Sequence, residues 1–93
     1  MDKPEPYKIV LSKKFSKVLK KSIDKKLHSG IEKEILLISE APYKKTTTIQ
    51  DPNLPFRKAR KGEYRIFVHI DDDTRTLYIL NIIHRDRAYK SKE

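Results

Sequence analysis

The last third of this 93-residue sequence holds two runs whose side chains could act on a phosphodiester. In FRKARKGEYR, Lys58 and Arg60 share one parity and Arg65 follows across a glycine-bearing turn. In HRDRAYK, Arg85, Arg87 and Lys90 surround the phenol of Tyr89, behind His84. Cleavage of RNA needs a base to take the 2′-hydroxyl proton, cations to hold charge on the phosphoryl oxygens, and an acid to protonate the leaving 5′-oxygen. Lysine, arginine and tyrosine can fill these roles without histidine or a metal. A lysine becomes a usable base only where neighbouring cations or burial lower its pKa, and a ring of Arg and Lys is one means of doing so. The plainer alternative is a solvated, edge-protecting strand, with Tyr89 packed as an ordinary aromatic near the terminus. Charge pattern alone does not separate the two.

Composition narrows the partners. The formal net charge of +9, from 22 Lys and Arg against 13 Asp and Glu, attracts polyanions: nucleic acid, an acidic protein or an anionic membrane. No stretch approaches the roughly 20 apolar residues of a membrane-spanning helix, and residues 1–6 are charged and proline-bearing, unlike a signal peptide. The membrane is therefore the weakest of the three. The absence of cysteine removes a disulfide framework, a thiolate nucleophile and Cys-based metal sites, which fits a reducing cytoplasm. His28, His69 and His84 match no metal-ligand spacing, so neither metal nor cofactor is expected, and each reads first as structural or solvent-exposed.

The elements that must position these residues follow from periodicity. Apolar residues make up 37% of the chain and charged residues 38%, so the core must come from a few concentrated segments, and 93 residues suffice for one domain spanning 1–93. Residues 7–11 (YKIVL) read as a strand, with Ser12 a suitable helix N-cap. Phe15, Val18, Leu19, Ile23, Leu27, Ile31, Ile35 and Ile38 then fit three-and-four spacing, with Lys13, Lys14, Lys17, Lys20, Lys21, Lys25 and Lys26 on the polar side. A break at Ser22 or at Ser29-Gly30, with Ser22 preferred, folds this region into a helical hairpin. Pro42 ends it, and residues 43–55 read as a polar, proline-bounded loop.

Residues 64–71 alternate, with Tyr64, Ile66, Val68 and Ile70 on an apolar face and Arg65, Phe67, His69 and Asp71 on a mixed one. Asp71-Asp72-Asp73-Thr74 is turn-like, and residues 76–83 (TLYILNII) form a near-continuous apolar run typical of a central strand. Residues 56–61 add a third antiparallel strand through a turn at Lys61-Gly62-Glu63. The expected fold is α+β, in the order β-α-α-β-β-β, with a helical hairpin packed on one face of a mainly antiparallel sheet. Arg65 then faces away from the helices.

Residues 57–90 resemble the RelE/ParE toxin superfamily, most closely archaeal-type RelE proteins. Three features carry the likeness: a basic-x-basic pair before a gly-acidic-Tyr-Arg turn (Lys58, Arg60, Gly62, Glu63, Tyr64, Arg65), an acidic hairpin turn, and a terminal HRxRxY segment. The resemblance implies a cognate antitoxin that wraps the chain and, for RelE-type members, metal-independent cleavage of mRNA in the ribosomal A site. By position, Arg65 and Arg85 resemble the family's phosphate-binding arginines, and Tyr89 the tyrosine that stacks on a base or orients the nucleophile. Lys58 is the better candidate base, since the guanidinium of Arg60 stays protonated; Arg60, Arg87 and Lys90 are left to bind RNA. His84 matches branches in which a C-terminal histidine serves as acid or base. Two other functions fit the same fold: a ParE-like toxin acting on DNA gyrase, and a non-catalytic RNA-binding or decayed toxin.

Overall fold

Ser12 ties the two ends of the chain together. Its hydroxyl accepts from the Phe15 amide at 3.0 Å, capping the first helix, and donates to the Leu80 carbonyl at 2.7 Å, while its own amide donates to the Ile79 carbonyl at 3.0 Å. The computed structural model describes residues 5–49 and 55–86. Its elements run β1 (Lys8–Leu11), α1 (Lys13–Ser22), α2 (Lys25–Glu40), α3 (Pro42–Lys45), β2 (Thr47–Thr48), β3 (Phe56–Lys61), β4 (Tyr64–Asp71) and β5 (Thr76–His84). The sheet order is β1-β5-β4-β3-β2, with β1 parallel to β5 and every other pair antiparallel. The expected β-α-α-β-β-β order is present, with two short additions, α3 and β2, where the sequence reads as a loop.

The helical hairpin breaks after Ser22, as its sequence suggests. Asp24 caps α2 by accepting from the Lys26 amide at 3.1 Å. His28 Nε2 lies 2.9 Å from the carbonyls of both Leu19 and Ile23, so a proton there satisfies acceptors left open where α1 ends. This histidine is structural. Phe15, Ile23, Ile31, Ile35 and Ile38 pack on Ala59, Ile66, Val68, Ile70, Leu77, Ile79 and Ile82, which places the core between the helices and one face of β3–β5. Full burial of side chains of this size contributes about 1.5–3 kcal/mol each. Leu27 departs from the expected stripe and is 45% exposed, because the first turn of α2 overhangs the β3–β4 turn and leaves a depression between them.

The two hairpin turns use the left-handed backbone region, Gly62 at φ 60° between β3 and β4 and Arg75 at φ 51° between β4 and β5. In β5 one residue is extra: Phe67 pairs with Asn81 and Val68 with Ile79, so Leu80 forms a bulge. Ser12 bonds to the carbonyl of that bulged residue. Replacing Ser12 with Ala therefore removes a helix cap and a long-range bond at once. Ser12→Ala is expected to lower unfolding free energy by about 1–2 kcal/mol, read as a lower urea midpoint at unchanged slope, with the exposed Ser22→Ala as a near-neutral control.

Candidate functional site

Because the helices cover one face of the sheet, alternation along β3 and β4 sends Lys58, Arg60 and Arg65 to the other. Register brings them together. Arg60 lies directly opposite Arg65, and two residues further along the strands Lys58 lies opposite Phe67 and, on its other side, Thr47. Like charges directly across a strand pair are destabilising, so the Arg60–Arg65 pairing is one that sheet stability alone would disfavour. Two adjoining depressions share these arginines. One, of about 300 Å³, is lined by Arg60, Arg65 and Arg85 together with Glu63 and Asp86. The other, of about 390 Å³, is lined by Lys45, Thr47, Lys58, Arg60 and Arg65.

The end of β5 is pinned to the β3–β4 turn. The Arg85 amide donates to the Glu63 carbonyl at 2.7 Å, and His84 Nε2 lies 2.9 Å from Glu63 Oε1. The Asp86 amide lies 3.2 Å from His84 Nδ1, so the ring donates from Nε2 and accepts at Nδ1, with Tyr64 edge-on to it at 5.1 Å. Both ring nitrogens are therefore engaged. This arrangement fixes the backbone from which Arg85 reaches the first depression. Tyr89, Arg87 and Lys90 lie outside the described residues.

A second network holds the opposite border. Asp72, in the β4–β5 turn, accepts from Tyr7 Oη and Tyr43 Oη, each at 2.6 Å. The Arg57 guanidinium sits 5.0 Å over the Tyr43 ring and donates to the Thr46 hydroxyl at 2.7 Å and carbonyl at 2.9 Å. The Thr46 hydroxyl in turn donates to the Pro42 carbonyl at 2.6 Å. Short as it is, α3 is thus held from both ends, and it carries Lys45 to the groove. The Arg75 guanidinium lies 4.4 Å over the Tyr7 ring, completing the border. Asp72 is held below the usual carboxylate range, first by the Tyr43 hydrogen bond and then by that of Tyr7; the same bonds hold both phenols above 10.0.

A family model described as the ParE toxin of type II toxin-antitoxin systems matches residues 9–89. The chain belongs to this family, within the RelE/ParE toxin superfamily. Among solved structures, the fold is similar to that of a RelBE toxin-antitoxin complex from Mycobacterium tuberculosis, with TM-score 0.80 and 24% identity over 91% of this chain and 98% of that one. A RelE-RelB complex from Pyrococcus horikoshii gives 0.72 and 20% over 89% and 99%. One from Methanococcus jannaschii gives 0.69 and 20% over 90% and 99%. No curated protein matches the sequence significantly.

In this ParE-family toxin the structure gathers Lys58, Arg60, Arg65 and Arg85 around the paired depressions, whereas His84, bonded to Glu63 and paired with Tyr64, shares the helix-covered face with Ile82 and lines neither depression. Sequence reasoning missed Lys45 and Thr47, which lie in the stretch read as a loop. A signal existed in Pro42, suited to the first position of a helix, and in the β-branched run Thr46-Thr47-Thr48.

The Asp72 network gives the site border a pH dependence. A carboxylate titrating lower in the folded state contributes stability above its unfolded value of 3.8 and loses it as pH falls through the lowered folded value. Phenols raised above 10.0 contribute below that value and lose it as pH rises through the raised ones. Asp72→Asn is accordingly expected to flatten the fall in thermal midpoint at both extremes. Midpoints measured between about pH 2 and 5 and above about pH 9 should fall further in the parent than in the variant.

Proposed function

We propose that this toxin is a metal-independent endoribonuclease that cuts mRNA in the ribosomal A site, acting in the cytoplasm and restrained by a cognate antitoxin. The observation that carries this reading is the register of β3 and β4, which sets Arg60 against Arg65 with Lys58 two residues along the same face and Arg85 across the shared depression. Arg65 and Arg85 would hold the scissile phosphate, and Lys58 would take the 2′-hydroxyl proton. Tyr89 would stack on a base or orient the nucleophile, while Arg60, Arg87 and Lys90 bind the strand. His84 enters as acid or base only by giving up a bond that one of its ring nitrogens now makes.

The antitoxin follows from two supports: the similar RelE-type structures were solved as toxin-antitoxin complexes, and a charge of +9 favours an acidic segment. A second reading has its own support, since the matching family model is that of ParE; on that reading the target is DNA gyrase. Tightly controlled expression followed by mapping of mRNA ends separates them. Cuts within codons that depend on translation support the nuclease, and growth arrest with intact mRNA supports gyrase.

Two substitutions test the roles. Arg65→Ala should keep the fold, measured by circular dichroism, and lose about 10²- to 10³-fold in cleavage rate, the usual cost of removing one donor aimed at transition-state charge. Lys58→Arg keeps the charge and removes a usable base, so it should lose most cleavage while still binding ribosomes, and the rise of parental activity with pH should disappear. Cleavage at the parental rate with an unchanged pH profile would leave Lys58 an electrostatic role alone.

A further inference from the structure

The cationic positions begin a longer pattern on the open face of the sheet. Moving along the strands away from the β3–β4 turn, register sets three successive ranks: Arg60–Arg65–Ile83, then Lys58–Phe67–Asn81, then Phe56–His69–Tyr78. Successive ranks are two residues apart, or about 7 Å, so the aromatic rank lies about 13 Å from the arginine pair. All three members of the last rank are rings, and Phe67 stands between that rank and the arginines. The His69 and Tyr78 rings stack on one another, 24° from parallel with centroids 6.0 Å apart. His69 Nδ1 lies 3.2 Å from the Pro55 carbonyl, a bond that orients the ring when the proton is on Nδ1.

These rings serve no core, because the helices cover the opposite face. Phe56 is exposed, and Phe67, His69 and Tyr78 are half-buried. Cations that follow a backbone, set beside rings on which bases stack, are the means by which proteins hold single-stranded nucleic acid. Beyond the aromatic rank, Asp71 ends β4 and Asp72 and Asp73 open the turn to β5, three carboxylates that repel a polyanion. The face therefore has a cationic start, an aromatic continuation and an acidic end.

We propose that the open face of the sheet is a path for single-stranded RNA, with phosphate held at Arg60, Arg65 and Lys58 and neighbouring bases stacked on Phe67 and the Phe56–His69–Tyr78 rank. The placement of the scissile phosphate rests on the nuclease reading; the binding path stands or falls by itself. The continuity of the rings with the cations favours RNA over a protein partner as occupant.

The test uses a fluorescent single-stranded 2′-O-methyl oligoribonucleotide, which lacks the attacking hydroxyl, and reads binding by anisotropy. The parent should bind, and Phe56→Ala and His69→Ala should each weaken binding about 5-fold or more, with Phe56→Tyr restoring it. An abasic oligonucleotide of equal length should bind the parent and the ring variants alike. The salt slope should stay unchanged in the ring variants and fall by about 0.7 in Lys58→Ala. Phe56, being exposed, decides the matter if His69→Ala fails to fold. No binding by the parent, parental affinity in the ring variants, or an equal loss on the abasic strand overturns the proposal. So does loss of antitoxin binding alone in Phe56→Ala. A parent that binds through its rings but cuts no mRNA defeats the nuclease reading and leaves the path. A parent that cuts while its ring variants bind normally does the reverse.

Discussion

The open face exists because the other face is spent. Ile66, Val68 and Ile70 on β4 and Leu77, Ile79 and Ile82 on β5 are buried beneath the two helices, and side chains alternate along a strand. Residues between those core positions are consequently sent to the uncovered side whatever their chemistry. Arg65, Phe67 and His69 lie there because of their neighbours in sequence, and a one-residue slip in register would exchange the two sets. Core packing thus specifies the position of the cations as firmly as any contact the cations make themselves.

That arrangement sets charge against stability. Arg60 faces Arg65 directly, and Arg85 joins them across a shared depression. A sheet selected for stability alone would alternate signs at such positions. The borders of the site are firmly held. At one end the Arg85 amide and His84 ring fasten the end of β5 to Glu63; at the other, Asp72 gathers Tyr7 and Tyr43 while Arg57 grips Thr46. Both carboxylates act from turns, and Glu63 also lines the depression that Arg60, Arg65 and Arg85 share. Local conflict at a site with consistent structure around it is the pattern expected where function has set the residues.

Much of this was legible in the sequence because it is local. Period-two alternation in residues 64–71 places Arg65 correctly, the apolar run of β5 reads as an inner strand, and Ser12 reads as a cap from its type and place. The Lys61-Gly62-Glu63 turn likewise follows from glycine at a position with φ 60°. What escaped depends on contacts between distant residues. Asp72 meets Tyr7 across 65 positions and Tyr43 across 29, and nothing near Tyr43 announces that its hydroxyl will be held there. Without that anchor, residues 42–48 look like any polar loop, and Lys45 cannot be assigned to the groove. The Leu80 bulge is hidden for a similar reason, since an uninterrupted apolar run conceals which residue is left unpaired. Leu27 shows the opposite failure: a good helical period continued past the edge of the surface it was meant to cover.

The parallel pairing of β1 with β5 has a consequence for assembly. Lys8 aligns with Thr76 and Leu11 with Ile79, so the first strand made has no sheet partner until nearly the last one emerges. Leu77, Ile79 and Ile82 are also the floor on which Phe15 and the helices rest, so a chain stopped before residue 76 lacks both the partner and the floor. Closing so large a loop is slow relative to forming helices or hairpins. During synthesis the helical hairpin and the β3–β4 ribbon are available early, yet the groove between Lys58 and Arg85 takes shape only when the C-terminal strand slides between β1 and β4.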